Sequence, residues 1–219
     1  MRVHERRKMN GAEYDAEYFL RGKESGKSLY EDYRWMPGLT IPMAQAIVTH
    51  CRMPKGTKVL DFGCARGYLV KALHEIGYNG FGIDVSQWAI DNCDPEASGL
   101  VSLHSRTDPY PSAEWIIAKD VLEHVPSVRF VINDLMMMAE KGLFVVVPLS
   151  RFDNGRYVIE EYEKDVTHIH RLTLATWVGM FLQPGWRVEA AYRLPGVKDN
   201  YARPGWEYGN GFVTARRVE

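Results

Sequence analysis

Two acids close short apolar runs in this chain, and the residues beside each of them suggest chemistry. Val59-Leu60-Asp61-Phe62-Gly63-Cys64-Ala65-Arg66-Gly67-Tyr68-Leu69-Val70 passes from an apolar run through a tight small-residue turn into an amphipathic stretch. Gly80-Phe81-Gly82-Ile83-Asp84 is a second apolar run ending in an acid. Gly63 and Gly67 accept positive φ and let main chain approach a ligand with no Cβ in the way. The helix start after them presents unpaired N–H groups to a polar or anionic ligand end. Asp84, at a strand tip, stands where a carboxylate takes both hydroxyls of a ribose. A dinucleotide turn needs G-x-G-x-x-G so that main chain wraps a pyrophosphate. Here the turn reads D-x-G-x-x-x-G, with Ala65 where a middle glycine would stand. That cradle is poor for pyrophosphate but leaves room for an amino-acid tail and a sulfonium. An adenosyl ligand over the carboxyl ends of parallel strands fits better than a nicotinamide dinucleotide.

Further segments come in order along the chain. Lys119-Asp120-Val121-Leu122-Glu123-His124-Val125-Pro126 puts an acid before Leu-Glu-His-Val, and Phe144-Val145-Val146-Val147-Pro148 is an apolar run closed by proline. Thr167-His168-Ile169-His170-Arg171-Leu172-Thr173 leads to Phe181-Leu182-Gln183-Pro184-Gly185-Trp186, and Tyr14-Asp15-Ala16-Glu17-Tyr18-Phe19 stands upstream. Together with the turn, these motifs resemble those of the class I S-adenosylmethionine-dependent methyltransferases, over roughly residues 14–195. The resemblance implies S-adenosyl-L-methionine as cofactor and S-adenosyl-L-homocysteine as product. It implies cofactor contacts at Asp61, Gly63, Cys64, Ala65, Gly67, Asp84, Val85 and Asp120, with adenine near His104, Ser105 and Arg106. Trp88 packs either an edge of the adenine or the helix core. Two residues depart from the family pattern. Ala65 replaces a usual glycine and is accommodated if its φ is negative; Arg66 points to solvent or reaches the cofactor carboxylate.

Methyl transfer from a sulfonium is an in-line displacement that needs alignment, plus a base when the acceptor is a hydroxyl. His124, just past the fourth strand, is a candidate base, or else a structural histidine bonding a neighbouring loop. His168 is a candidate for orienting the acceptor or taking its proton. By the resemblance Asp120 lies under the methionine moiety or the acceptor and is grouped with these two as catalytic, while Glu123 braces a helix start. His168 and His170, two apart, would share one side of an extended segment. That spacing permits metal ligation, but no further ligands cluster beside them in sequence, so no metal is assigned and His170 is read as an acceptor contact.

These residues need a scaffold of alternating strands and helices, which predicts a mostly parallel sheet covered on both faces. Strands are expected near 57–62, 80–84, 99–104, 115–118, 142–148, 186–193 and 211–217. Helices are expected over 66–77, with Leu69, Val70, Leu73 and Ile76 on one face, from Ser86 to Asn92, after Ser127 and over 173–183. The resemblance implies a Rossmann-like doubly wound α/β sheet of seven strands, the last antiparallel and inserted between the fifth and sixth. Residues 1–45 read as a segment over the site and 46–219 as the cofactor-binding domain, one compact domain overall. The segment is rich in Tyr14, Tyr18, Phe19, Tyr30, Tyr33 and Trp35, which form a lid with acceptor contacts at Tyr14, Tyr18 and Tyr33, or anchor a helix to the sheet. A polar insertion at 149–172 carries Arg151, Asp153, Arg156, Tyr157, Glu160, Glu161 and Tyr162. It faces the ligand crevice, with Arg151 toward the acceptor, or is a solvated loop.

Composition narrows the rest. At 219 residues and 46% hydrophobic the chain can bury a full core. A formal net charge of −1 gives no long-range pull toward nucleic acid or an acidic membrane. The short basic runs Arg2, Arg6, Arg7, Lys8 and Arg216, Arg217 read as solvated tails. No run approaches the ~18 apolar residues of a membrane span, and no signal-peptide apolar region follows the start, so the cytoplasm is the expected location. Cys51, Cys64 and Cys93 form no C-x-x-C pair and read as reduced thiols. Neither an N/D-P-P-Y/F motif nor a Pro-Cys dipeptide of nucleic-acid methyltransferases is present. The expected partner is a small-molecule or glycan acceptor methylated on oxygen. A catalytically silent cofactor-binding subunit, a methyltransferase acting on nucleic acid or protein, and a hydride-transfer enzyme are the alternatives. The oligomeric state is not legible.

Overall fold

The apolar runs pair into one seven-stranded sheet. Its strands are β1 (Lys58–Phe62), β2 (Asn79–Asp84), β3 (Val101–Leu103), β4 (Ala113–Lys119), β5 (Ala139–Pro148), β6 (Trp186–Ala191) and β7 (Asn210–Arg217). A computed structural model describes residues 11–105 and 108–218. The strand order is β3-β2-β1-β4-β5-β7-β6, and β7 runs antiparallel between β5 and β6. This is the Rossmann-like seven-stranded fold expected from the resemblance. The remaining pairings are parallel.

Alternation along the strands sends side chains to two separate layers. Leu60, Ile116, Leu143, Val145 and Val147 pack on one face against α5 (Val128–Met138) and α6 (Leu174–Phe181). Val59, Trp115, Ile117, Phe144 and Val146 pack on the other against α2 (Pro37–His50) and α3 (Tyr68–Glu75). Each fully buried Leu, Ile or Phe contributes roughly 1.5–3 kcal/mol, so the central strands hold the framework rigid. The strand order reverses direction at β1, whose neighbours are β2 and β4. At such a point the connections leave to opposite faces and open a crevice at the carboxyl ends of the strands.

Local chemistry explains most element ends. Asp15 caps α1 (Ala16–Ser25) by accepting from the Tyr18 N–H, Ser86 caps α4 (Gln87–Asp91) through Ala89, and Thr173 caps α6 through Thr176. Several expectations need correction. Ser127 precedes α5 but its side chain caps nothing, because its backbone is left-handed (φ 57°) and turns the hydroxyl away from the helix start. Helix α2 runs unbroken across residue 45, so the N-terminal segment and the sheet domain share one helix. Arg216 and Arg217 are no tail: they end β7, where Arg216 donates to the His50 carbonyl and Arg217 to that of Ala139. Arg2, Arg6, Arg7, Lys8 and Arg106 lie outside the described residues. Among the described residues no helix is long and apolar enough to cross a membrane.

Candidate functional site

The turn between β1 and α3 shapes the first wall of a cavity of about 700 Å³. Gly63 sits at φ 78°, and a Cβ there would meet Val121 Cγ2 at 2.4 Å, so glycine is required on both counts. Ala65 adopts φ 47° rather than the negative angle expected of it. That left-handed backbone costs an alanine about 1–2 kcal/mol. A short bond offsets the cost: the Ala65 N–H donates to Asp84 Oδ2 at 2.7 Å, while the Ser86 N–H donates to Oδ1 at 2.8 Å. Burial pushes the Asp84 carboxyl up, and the N–H groups of Ser86, Ala65 and Val85 offset part of that rise. Asp61, on the neighbouring strand, has no such help. Burial pushes it up to about 7, with Lys119 drawing it down and Asp84 adding to the rise.

Arg66 neither points to solvent nor reaches into the cavity. Its guanidinium donates to the Tyr33 carbonyl at 3.0 Å and the Asn92 carbonyl at 2.6 Å, between the rings of Tyr68 and Trp88. It clamps the aromatic segment to the turn. Above the turn, Tyr14, Tyr18, Phe19, Tyr30 and Tyr33 line the cavity and form its roof. Phe19 stacks on Trp88 with centroids 5.4 Å apart, so the same rings both anchor α1 and cover the site. At the β3 side, His104 stacks on Tyr110 at 4.8 Å, and its buried Nε2 has no hydrogen-bond partner among the described residues.

The far wall is built by the residues after β4 and by the insertion after β5. Asp120 takes φ 55° and is gripped between Lys119 (2.6 Å) and Lys198 (2.5 Å). Burial alone would raise its carboxyl, but the two ammonium charges hold it well below the usual carboxylate range. Lys198 also donates to Tyr162 Oη and Asn210 Oδ1. Glu123 stands at the start of a short 3-10 helix rather than of an α-helix. It belongs to the three-residue 3-10 turn Leu122–His124, and its carboxylate lies 3.9 Å from both His124 Nε2 and His168 Nε2. Burial, and then His168, hold the His124 imidazole down to about 4; burial likewise lowers His168. Both rings are therefore neutral near pH 7. The Tyr18 hydroxyl donates to Asp165 Oδ2 at 2.8 Å and ties the roof to this wall.

Most residues singled out from the sequence meet here. Asp61, Gly63, Cys64, Ala65, Asp84, Val85, His104, Asp120, His124, His168, Tyr14, Tyr18 and Tyr33 all line the cavity. Five others do not. Gly67 is the left-handed N-cap of α3, packed against Ala97 and Val101, and Trp88 stands behind Phe19. The Ser105 N–H donates to Asp108, and Arg151 is exposed on the solvent side of the insertion. His170 turns away from His168, its Nε2 bonded to the Val125 carbonyl and its ring on Trp177. The two-residue spacing misleads because residues 168–170 form no strand. Lys119, Lys198, Tyr162 and Asp165 also line the cavity; the sequence reading places Tyr162 in the insertion facing the crevice and assigns the other three no role there. Lys119 stands beside a flagged acid; Lys198, from the loop between β6 and β7, carries no sequence signal. The Cys64 thiol is pushed well above its ordinary value by burial and then by Asp61 and Asp84, which removes it as a nucleophile.

A volume of this size lies within the range of small-molecule and cofactor sites. A carboxylate at a strand tip, a left-handed turn without a side chain at Gly63, and a stacked His–Tyr edge with an orphaned nitrogen fit ribose, amino-acid tail and adenine respectively. Residues 40–191 match a protein-family model described as a methyltransferase domain. No curated protein matches the chain. Among solved structures, the chain is similar to the magnesium protoporphyrin IX methyltransferase of Synechocystis PCC 6803 with bound S-adenosylhomocysteine. The identity is 16%, with 82% of each chain covered and a TM-score of 0.57. The plantazolicin methyltransferase BamL aligns at 12% identity and TM-score 0.57, covering 82% of this chain and 86% of its own. The cyclase SpnF aligns at 14% identity and TM-score 0.60, with 81% of each chain covered. At these identities the likeness is one of fold.

Proposed function

This chain belongs to the methyltransferase-domain family of S-adenosylmethionine-dependent enzymes, and from that premise we propose that it methylates an oxygen of a small polar or saccharide acceptor. One observation carries the proposal: a single cavity joins the Asp84 turn at one end to the imidazoles of His124 and His168 at the other. The cofactor supplies an electrophilic methyl group on sulfur, and the protein has only to hold and orient the reactants. Asp84, its carboxyl bonded by main-chain N–H groups, would accept from the ribose hydroxyls. Asp120, ionised between two lysines, would fix those two ammonium groups at the wall of the site. The aromatic roof excludes water, which keeps the acceptor as the competing nucleophile.

The acceptor end combines hydrophobic ring faces with polar tips, from Tyr14, Tyr162 and Tyr201, beside the donor Lys198. That mixture suits a molecule with hydroxyl groups on an apolar frame. Neutral His124 and His168 accept hydrogen bonds and so point an acceptor oxygen along the line of attack. An imidazole held down to about 4 orients a hydroxyl better than it deprotonates one.

The test is calorimetric binding of S-adenosylmethionine and S-adenosylhomocysteine, with NAD and ATP as controls. It is followed by mass spectrometry of hydroxyl, amine and carboxyl acceptors incubated with the enzyme and cofactor. The expected result is binding of the adenosyl ligands alone and a methyl group gained on oxygen. Failure of both adenosyl ligands to bind, or methylation only at nitrogen or carbon, would overturn the reading.

A further inference from the structure

The acceptor end of the cavity holds a cluster that methyl transfer by alignment does not require. Glu123, His124 and His168 each present one ligand atom, and the three atoms lie within 4.8 Å of one another. Glu123 Oε1 is 3.9 Å from both imidazole Nε2 atoms. Glu123 is buried, and its Oε2 has no hydrogen-bond partner among the described residues. An orphaned carboxylate oxygen in the interior costs several kcal/mol unless something positive meets it.

The hydrogen bonds behind the two rings decide which nitrogens face the cluster. His168 Nδ1 lies 2.9 Å from the Tyr162 carbonyl, which can only accept, so Nδ1 carries the proton and Nε2 offers a lone pair. His124 Nδ1 lies 2.8 Å from Thr167 Oγ1, whose own proton is committed to Asp165 Oδ1 at 2.5 Å. His124 Nδ1 is therefore the donor there, and its Nε2 is also a free lone pair. An imidazole braced through its other nitrogen by a carbonyl or a carboxylate chain is the arrangement that orients metal-ligating histidines. The backbone fixes the pairing as well. The N–H groups of Ile169 and His170 both donate to the Glu123 carbonyl, at 3.0 and 3.1 Å, and lock His168 beside the 3-10 turn.

We propose that Glu123, His124 and His168 form a binding site for one divalent transition-metal cation, with two imidazole nitrogens and one carboxylate as protein ligands. Two nitrogens select a borderline cation such as Zn²⁺, Co²⁺ or Fe²⁺ over Mg²⁺, which favours all-oxygen sites. A tetrahedral cation with metal–ligand distances near 2.1 Å wants its ligands about 3.4 Å apart, so the 3.9 Å separations close by small side-chain rotations. Asp120 is committed to Lys119 and Lys198, and Asp165 to Tyr18 and Thr167, so neither completes the set. The remaining positions on the cation face the cavity, where they would hold an oxygen of the acceptor in place of its direct hydrogen bonds to the two imidazoles. This last point rests on the methyl-transfer reading; cation binding does not.

The test uses the full chain freed of metal by chelation, without cofactor or acceptor. Titration with Co²⁺, read by its visible absorption, and with Zn²⁺ and Mg²⁺ by calorimetry, should give one equivalent of Co²⁺ or Zn²⁺ and much weaker Mg²⁺. His168→Ala and Glu123→Gln should abolish that equivalent. Thr167→Ala, which loosens the brace on His124 and removes one donor to Asp165, should weaken it on the order of 10–100-fold. Replacing the exposed His74 with alanine should leave it unchanged. S-adenosylhomocysteine binding serves as the check of fold for every variant. If His168→Ala or Glu123→Gln fails that check, Thr167→Ala decides. No stoichiometric cation, binding that survives both His168→Ala and Thr167→Ala, or a preference for Mg²⁺ would overturn the site. Failed methyl transfer with an intact cation equivalent would count against the enzymatic reading alone.

Discussion

Asp84→Ala is the perturbation whose consequences the geometry dictates most directly. The carboxylate accepts two main-chain N–H bonds, from Ala65 at 2.7 Å and Ser86 at 2.8 Å. Hydrogen bonds to a charged acceptor are worth about 1.5–3 kcal/mol each, though water entering the cavity would replace part of that. Removing the charge also relieves the burial that pushes this carboxyl up. The net loss of stability should therefore fall at about 1–3 kcal/mol, a drop of roughly 2–12 °C in Tm for a domain of this size. The effect on the ligand should be larger. Two ribose hydroxyls donating to one charged group forfeit about 3–6 kcal/mol, which is a loss of roughly 10²–10⁴ in affinity for S-adenosylhomocysteine. Because the bond to Asp84 also offsets the left-handed strain of Ala65, the variant should show faster amide exchange over residues 63–67. Calorimetry, a thermal melt and hydrogen exchange on one preparation separate these effects. A variant that binds S-adenosylhomocysteine within about threefold of wild type, ~0.7 kcal/mol, would refute the assignment of ribose to this carboxylate.

Other perturbations carry equally definite signs. Asp61 is pushed up to about 7 in the fold against an ordinary 3.8, so the native state holds its proton more tightly than the unfolded chain. Its stabilising contribution is complete below pH 4 and is lost as pH rises toward 7, by on the order of 4 kcal/mol at most. Asp61→Asn should thus gain stability over wild type at pH 8 but not at pH 4; melts showing the same difference at both pH values would contradict this. Gly63→Ala forces a Cβ to 2.4 Å from Val121 in a left-handed backbone and should cost at least about 2 kcal/mol. Adding Val121→Ala should restore part of that loss in urea unfolding, and no recovery would show that the clash is not the cause. Arg66→Ala removes the bonds to the Tyr33 and Asn92 carbonyls and should speed amide exchange over residues 28–36. It should also weaken S-adenosylhomocysteine by roughly 5–50-fold (~1–2 kcal/mol) through the unlatched roof. Unchanged exchange would exclude the clamp.

What the amino-acid order discloses about this molecule divides along a physical line. Strands announce themselves through continuous apolar runs bounded by turns, and every strand expected from the sequence is present within a few residues. The edges moved where main chain decides rather than side chains. β5 begins at Ala139, straight out of α5, because no turn residue separates them. The antiparallel seventh strand followed from family resemblance alone, since nothing in Asn210–Arg217 encodes its direction. The Asp84 wall was legible for the same reason the strands were: its acids and glycines are adjacent to the elements that carry them. Ala65 escaped, because positive φ in an alanine is imposed by the closing bond to a residue nineteen positions away.

The acceptor wall obeys a different logic. Glu123 and His124 are neighbours in sequence, but His168 reaches them only because two amides of its own segment donate to the Glu123 carbonyl. Asp165 and Tyr162 act through histidine Nδ1 atoms or through the roof, and Lys198 arrives from a loop with φ 60° and no motif. Apart from the Tyr162–His168 bond, these contacts link positions 43 to 147 residues apart, so no spacing rule reports them. The two-residue spacing of His168 and His170 does not bring them to one site, since His170 bonds the Val125 carbonyl; His168 and His124 line one cavity although no local pattern joins them. The Asp84 end of the cavity is written along single strand–turn–helix units, while the end at His124 and His168, the acceptor end of the proposed reaction, is assembled between them. On the methyl-transfer reading, that difference would let the acceptor end vary while the cofactor end stays fixed. It also makes the residues that bridge segments, Thr167 and Asp165 above all, the places where specificity can change without disturbing the sheet.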